Sequence, residues 1–330
     1  MSVSSSAAIE RVCVTTRGGW SLEASVLEGP APRRGTALFV HGLGASSRVF
    51  LAQPKGGLVD LLTEAGWRVV LFDQRGHGNT AAGGDPRGSS GAAAGGDSRR
   101  HGAAAAGGEA LASTGWTFDG LVRGELAAMH EALRGRFEGP LVLVGHGLGG
   151  LAACAASGSG EFEPDALVLF GVNVWLPRLE PSHLRRFLKA SLLARGPSVM
   201  SLGRELAGAL LGQALGGALA APGATPGGRL WPDAIRWWST DAWLDATGHD
   251  YLASLRRVRC PTLVFSSHAD PLLCAPECAQ AFATRLGATR LEHHVAGAPG
   301  LRGPGHGGLV SDARAAPLWR RSAEWLAGLR

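Results

Sequence analysis

"VLVGHGLGG", residues 142–150, carries an apolar run into a glycine-rich turn and on into the small-residue helix pattern "LGGLAACAAS". A strand, a tight bend and a helix in that order place the bend at an edge of a sheet. Its centre reads Gly145-His146-Gly147-Leu148-Gly149. In a nucleophile elbow of the form G-x-S-x-G, the middle residue has a strained backbone and holds the attacking oxygen above the sheet. Gly145, Gly149 and Gly150 suit the close approach of strand and helix. Gly147 keeps the bend and has no side chain to attack with. A phosphate-binding turn is the competing reading. The Lys-Ser/Thr pair of a P-loop is absent, and a dinucleotide fingerprint belongs on the first strand of its sheet, whereas this strand is the fifth.

Outward from the turn, short Val/Leu/Phe runs alternate with helical patterns. "AIERVCVTT" and "WSLEASVLEG" predict an opening antiparallel pair. "TALFVHG", "WRVVLFDQRG", "PLVLVGHG", "DALVLFG", "CPTLVFSS" and "RLEHHVAG" predict six more strands. "GGLVDLLTEAG", "FDGLVRGELAAMHEALRG", "LGGLAACAAS" and "AAPLWRRSAEWLAGL" read as helices between or after them, the last with Leu318, Trp319, Ala323 and Leu326 on one stripe. The pattern predicts an α/β fold with a mostly parallel eight-stranded sheet and helices on both faces.

Two stretches break the rhythm. Residues 80–114 are Gly/Ala-rich with almost no large apolar side chains, and too little apolar surface predicts a flexible low-complexity loop. Residues 174–247 predict a helical cap between core strands, ending in Trp231, Trp237, Trp238 and Trp243. The core is thus residues 1–173 and 248–330, and the cap or lid is 174–247.

The chain has 330 residues, 45% of them apolar, enough for one large domain with an insertion. Its net charge of +5 is spread over scattered arginines, not gathered into a stripe, so nucleic acid is not an expected partner. The five cysteines give no disulfide framework, and "CAPEC" (274–278) lacks a second ligand pair, so neither a metal nor another cofactor is expected. "ELAGALLGQALGGALAA" is too weakly apolar for a membrane span. No signal-peptide pattern opens the chain, and a cytoplasmic location is the default expectation. Oligomeric state is not legible.

Chemistry concentrates in three further loops. Asp270 in "SSHADPLL" follows a strand, where a carboxylate orients an imidazole. His306 in "GPGHGGLV" follows the last strand, in a glycine-rich loop free to swing toward the elbow. The order elbow, Asp, His is the order of a hydrolase triad on such a sheet. Alone, Asp270 also reads as a turn cap and His306 as a surface residue. "FVHGLGASS" places His41, Gly42 and Leu43 after a strand, where the Leu43 amide would join that of Leu148 as an oxyanion hole. Asp73, Arg75 and His77 read as structural turn residues.

Together "LFVHGLG", "GWRVVLFDQRGHGNT", "VLVGHGLGG", "SSHADPLL" and "GPGHGGLV" resemble the successive signatures of the α/β-hydrolase family. "GWTFDGLVRGELAAMHEAL" is similar to the stretch before the elbow in its acid-lipase and polyhydroxyalkanoate-synthase-like branches. The resemblance implies an α/β-hydrolase fold with a cap, an ester- or lipid-hydrolase-type site, Asp270 as acid partner, His306 as base, and Leu43 and Leu148 as oxyanion amides, with His41, Gly42, Gly145, His146 and Gly149 supporting them. The nucleophile position falls on Gly147, where relatives carry Ser or Cys. Cys154 lies two turns along the helix and is expected to face elsewhere; Ser46 and Ser47 lie in the oxyanion loop.

Three readings follow. The first is a catalytically impaired member, a pseudoenzyme that binds a small apolar ester- or acyl-like ligand, which the Trp-rich cap suits as well as core packing does. The second is an enzyme whose Asp270–His306 dyad acts as general base on water or substrate. The third is a serine esterase or lipase inactivated by engineering at residue 147.

Overall fold

A computed structural model describes residues 8–31, 33–51, 56–77, 116–195, 230–299 and 303–329. The low-complexity stretch 80–114 and residues 196–229 of the cap lie outside the described residues.

The eight expected strands form one sheet: β1 (Ala8–Thr15), β2 (Ser21–Glu28), β3 (Gly35–Val40), β4 (Trp67–Phe72), β5 (Leu141–His146), β6 (Ala166–Phe170), β7 (Thr262–Ser267) and β8 (Leu291–Ala296). Their spatial order is β1-β2-β4-β3-β5-β6-β7-β8. β1–β2 and β2–β4 are antiparallel, and every pairing from β4 to β8 is parallel.

The helices among the described residues are α1 (Leu58–Glu64), α2, α3 (Leu148–Ser159), α4 (His183–Arg195), α5 (Leu230–Thr240), α6 (Tyr251–Ser254), α7 (Pro276–Ala283), α8 (Gly308–Ser311) and α9 (Ala316–Ala327). α2 is a composite. A turn over Phe118–Gly120, opened by the Thr117 side chain accepting from the Gly120 N–H, runs into a π-helical stretch, Leu121–Leu126, and then Ala127–Arg136.

Every residue of β3, β4, β5, β6 and β7 is buried, as expected where helices cover both faces of a parallel sheet. The period-2 alternation divides the core. Leu143, Leu167 and Leu169 pack on one face with Leu121, Val122 and Leu151 from α2 and α3. Val142, Val144, Val168 and Phe170 pack on the other with Leu62 of α1 and Trp319 and Trp325 of α9. Trp319 is fully buried and donates its indole N–H to the Leu309 carbonyl at 2.9 Å. Burying a large apolar side chain of this kind contributes ~1.5–3 kcal/mol.

Glu180 ties α4 to α7. Its carboxylate accepts from Arg185 Nε (2.8 Å) and Lys189 Nζ (2.7 Å) of α4 and from the Cys278 thiol of α7 (3.1 Å). Lys189 is 1% exposed, so breaking this pair would leave a buried charge, which costs ~3–5 kcal/mol. The cap tryptophans divide. Trp237 and Trp243 stack with Phe118 inside the main core, Trp243 also against Tyr251, so packing accounts for these two, while Trp231 and Trp238 are half-buried.

Because β3 to β8 run parallel, the chain leaves β3, β5, β7 and β8 at one edge of the sheet. Ligands of open α/β sheets bind at that edge.

Candidate active site

At the elbow, Gly147 follows β5 and precedes α3 with φ +51° and ψ −120°, a backbone that side-chain-bearing residues rarely adopt. Its N–H donates to the Phe170 carbonyl at 2.9 Å, tying the bend to β6. The neighbouring glycines are steric necessities. A Cβ at Gly145 would stand 2.3 Å from the Gly150 Cα. One at Gly149 would stand 2.3 Å from the Val40 and His41 carbonyl oxygens. This packing drives α3 against β3 and β5 and leaves its first amides without intrahelical acceptors. Leu148, the first residue of α3, holds one of these amides. Leu43 lies in the loop after β3, where the Ala45 N–H turns back to the Gly42 carbonyl at 3.3 Å. Both leucine side chains pack against the main core, which fixes where their amides stand.

Asp270 and His306 meet. Asp270 Oδ2 accepts from His306 Nδ1 at 2.6 Å, and its Oδ1 accepts from the Leu273 N–H at 3.1 Å. Their side chains are 2% and 13% exposed, so this pair is nearly dry. A carboxylate only accepts, so the proton sits on Nδ1, and Nε2 carries the lone pair. That nitrogen faces the elbow: a Cβ at Gly147 would stand 2.9 Å from it. On the other side of the ring is Gly171 (φ +62°), where a Cβ would stand 3.0 Å from Nδ1. The imidazole thus sits between two residues that lack side chains. The sequence predicts a loop free to swing, whereas the structure holds it: His306 is fixed through Nδ1, and its carbonyl accepts from His146 Nε2 at 3.0 Å.

His41 and His146 are held in hydrogen bonds between the strand ends. His41 is fully buried. Its Nε2 accepts from the Gln74 N–H (3.2 Å), its Nδ1 donates to the Gly42 carbonyl (3.0 Å), and its own carbonyl accepts from Gln74 Nε2 (2.7 Å). This cross-links the β3 and β4 ends. Burial pushes its pKa down to about 4, and burial pushes that of His146 down to about 3, so both rings are neutral. Asp73 accepts from the Ser47 N–H at 2.7 Å, and Arg75 pairs with buried Glu125 at 3.0 Å, both turn-fixing contacts. Cys154 is fully buried, and burial raises its thiol pKa far above the ordinary range. Cys13, in contrast, is exposed, so not every thiol is interior. Among the described residues no group of three His, Cys, Asp or Glu is placed to share a metal ion, and no helix is long and apolar enough to cross a membrane.

Sequence reasoning missed Gly171 and the His146–His306 contact. No local signal marks either, since each joins loops that meet only through the sheet.

Known structures share this fold. An esterase from Pyrococcus furiosus matches with a TM-score of 0.57 at 15% identity, over 98% of this chain and 91% of that one. A lipase in its open form matches with a TM-score of 0.58 at 20% identity, over 97% of this chain and 100% of the other. A serine hydrolase involved in carbazole degradation matches at 0.53 and 18% identity, over 97% and 99% of the two chains. At these identities the likeness shows the fold. A comparison with curated proteins gives no match. The family model described as "Alpha/beta hydrolase family" matches residues 37–320, most of the sequence, and the chain belongs to that family.

Proposed function

We propose that this esterase- and lipase-like chain binds a small apolar ester- or acyl-like ligand at the elbow without forming an acyl-enzyme there. Asp270–His306 is its proton-accepting pair, and the Leu43 and Leu148 amides are its oxyanion donors. One observation carries the reading: His306 Nε2, backed by Asp270 at 2.6 Å, stands 2.9 Å from where a Cβ of residue 147 would be. The base addresses the residue that lacks an attacking atom. Losing the nucleophile of a working triad lowers turnover about 10⁶-fold, and oxyanion donors and binding retain ~10³–10⁴-fold over water.

A thermal-shift series with ketone or ether isosteres of esters, from short to long acyl chains, tests the binding. A ligand at about 100 Kd stabilises by ~2.7 kcal/mol, a rise of several degrees. A series in which no chain length shifts Tm contradicts the reading.

A second reading has an observation in its favour. The dyad is intact and nearly dry, which suits a general base acting on a water above Gly147. Ester turnover by the Gly147 protein that disappears in His306→Ala supports it, and turnover unchanged in that variant removes it.

A further inference from the structure

The loop carrying His306 reads Gly303-Pro304-Gly305-His306-Gly307-Gly308, a composition that gives the backbone wide freedom. The segment after it bonds back to the loop's C-terminal half: the Leu309 N–H to the Gly305 (3.0 Å) and His306 (3.3 Å) carbonyls, and the Val310 N–H and Ser311 hydroxyl to the Gly307 carbonyl (3.2 and 3.0 Å). Asp270 grips the imidazole at Nδ1, one point about which ring and loop still pivot together. The second fixed point comes from the elbow. His146, the last residue of β5 and 5% exposed, places Nε2 3.0 Å from the His306 carbonyl oxygen, with the two rings 4.8 Å apart.

That geometry dictates the tautomer. A carbonyl oxygen accepts and never donates, so the His146 proton is on Nε2. Nδ1 is then bare, and among the described residues it has no hydrogen-bond partner. It faces the Gly42 Cα, where a Cβ would stand 2.9 Å away. Gly42 is therefore the residue that leaves room for the His146 ring. Burial first, and then the neighbouring His306, keep this ring neutral down to a pH of about 3. The Nε2–H donor is thus present throughout the neutral range.

We propose that His146 is a positioning residue for His306: its Nε2–H, donated to the His306 carbonyl, locks the base loop and sets the direction of the His306 lone pair. Two anchors, Asp270 on the ring and His146 on the backbone, leave the imidazole one orientation over Gly147. The inference concerns the geometry of the dyad alone, and it stands whether or not a ligand or turnover is found.

The test is proton NMR of the unsubstituted chain and its variants. The short Nδ1–H···Oδ2 bond gives a downfield resonance, assigned by its loss in His306→Asn. His146→Phe keeps a ring and removes the donor. His146→Asn has a donor that reaches only as far as the Nδ1 position. His146→Gln carries an N–H at the Nε2 position. In His146→Phe and His146→Asn the signal should broaden or vanish, with exchange against water about tenfold faster, the value of one ordinary hydrogen bond. In His146→Gln it should persist. Two outcomes overturn the proposal: a sharp, unshifted resonance in a folded His146→Phe or His146→Asn protein, or equal loss in His146→Gln, which would assign the effect to ring packing. If His146→Phe fails to fold, the comparison of His146→Asn with His146→Gln decides by itself.

Discussion

Gly147→Ser is the substitution whose consequences the structure fixes most narrowly. Backbone strain comes first: a residue with a side chain at φ +51°, ψ −120° costs ~1–3 kcal/mol. Contact comes second. The new Cβ would stand 2.9 Å from His306 Nε2, against ~3.5 Å for an unstrained contact, so the ring must retreat by about half an ångström. Unfolding entropy of ~2.1 cal/mol/K per residue over 330 residues gives about 0.7 kcal/mol per degree, so Tm should fall by about 1–4 °C. Against that loss, the hydroxyl would meet a lone pair already backed by a carboxylate, with two amides available for the oxyanion. Hydrolysis of p-nitrophenyl esters should rise by at least ~10³-fold over the Gly147 protein, toward the ~10⁶ that separates intact from broken triads. Gly147→Ala is the matched control, with the same strain and contact and no oxygen, so it should lose the same stability and gain no activity. A folded Gly147→Ser protein that neither turns over esters nor takes up a fluorophosphonate refutes the reasoning. So does a Gly147→Ala protein with equal activity.

Other perturbations have predictable signs. Gly42→Ala sets a Cβ 2.9 Å from His146 Nδ1 and 3.3 Å from the His146 carbonyl oxygen, and should destabilise by ~1–3 kcal/mol in urea unfolding. Combining it with His146→Ala should recover about 1 kcal/mol of that loss, and strict additivity would show that the two residues do not touch in solution. Stability should also fall in mild acid. His146 and His41 hold folded-state pKa values of about 3 and about 4, below the ordinary 6.5, so under pH 6.5 the unfolded chain binds protons that the folded chain refuses. Each ring then removes up to ~1.4 kcal/mol per pH unit as pH drops from 6.5 toward 4. Glu180 and Glu292, both lowered to about 2, have the opposite history: their stabilisation is complete above about pH 4.5 and is lost only below it. Urea unfolding at pH 7, 6 and 5 should therefore show a loss that starts before Glu180 and Glu292 titrate, and the loss should shrink in His146→Gln, whereas an identical profile in that variant contradicts the neutral burial of the His146 ring.

The fold was legible because a parallel sheet covered on both faces forces continuous apolar strands, and "TALFV", "RVVLF", "LVLV" and "ALVLF" are such strands, each ending where a loop begins. The elbow was legible because only glycine fits the contacts at 145 and 149. Asp270 and His306 were legible as a pair because chain order fixes which strand ends they follow. What the sequence hides is contact between loops. His146 and His306 are 160 positions apart, and the bond joining them brings the end of β5 to the loop that follows β8. Gly171 reads as an ordinary strand end until the imidazole lies against it. The π-helical stretch Leu121–Leu126 has no marker in an amphipathic pattern. Trp237 and Trp243 read equally as ligand-lining and core residues, and only the rings of Phe118 and Tyr251 around them decide for the core.

Intact-mass spectrometry of the Gly147 protein after incubation with a fluorophosphonate tests the central claim most directly. A base directed at a residue without an attacking atom predicts an unchanged mass at saturating probe, with Gly147→Ser gaining one adduct under the same conditions. A stoichiometric adduct on the Gly147 protein, at Ser46, Ser47 or any other residue, would mean that another nucleophile has taken over, and the account would fail.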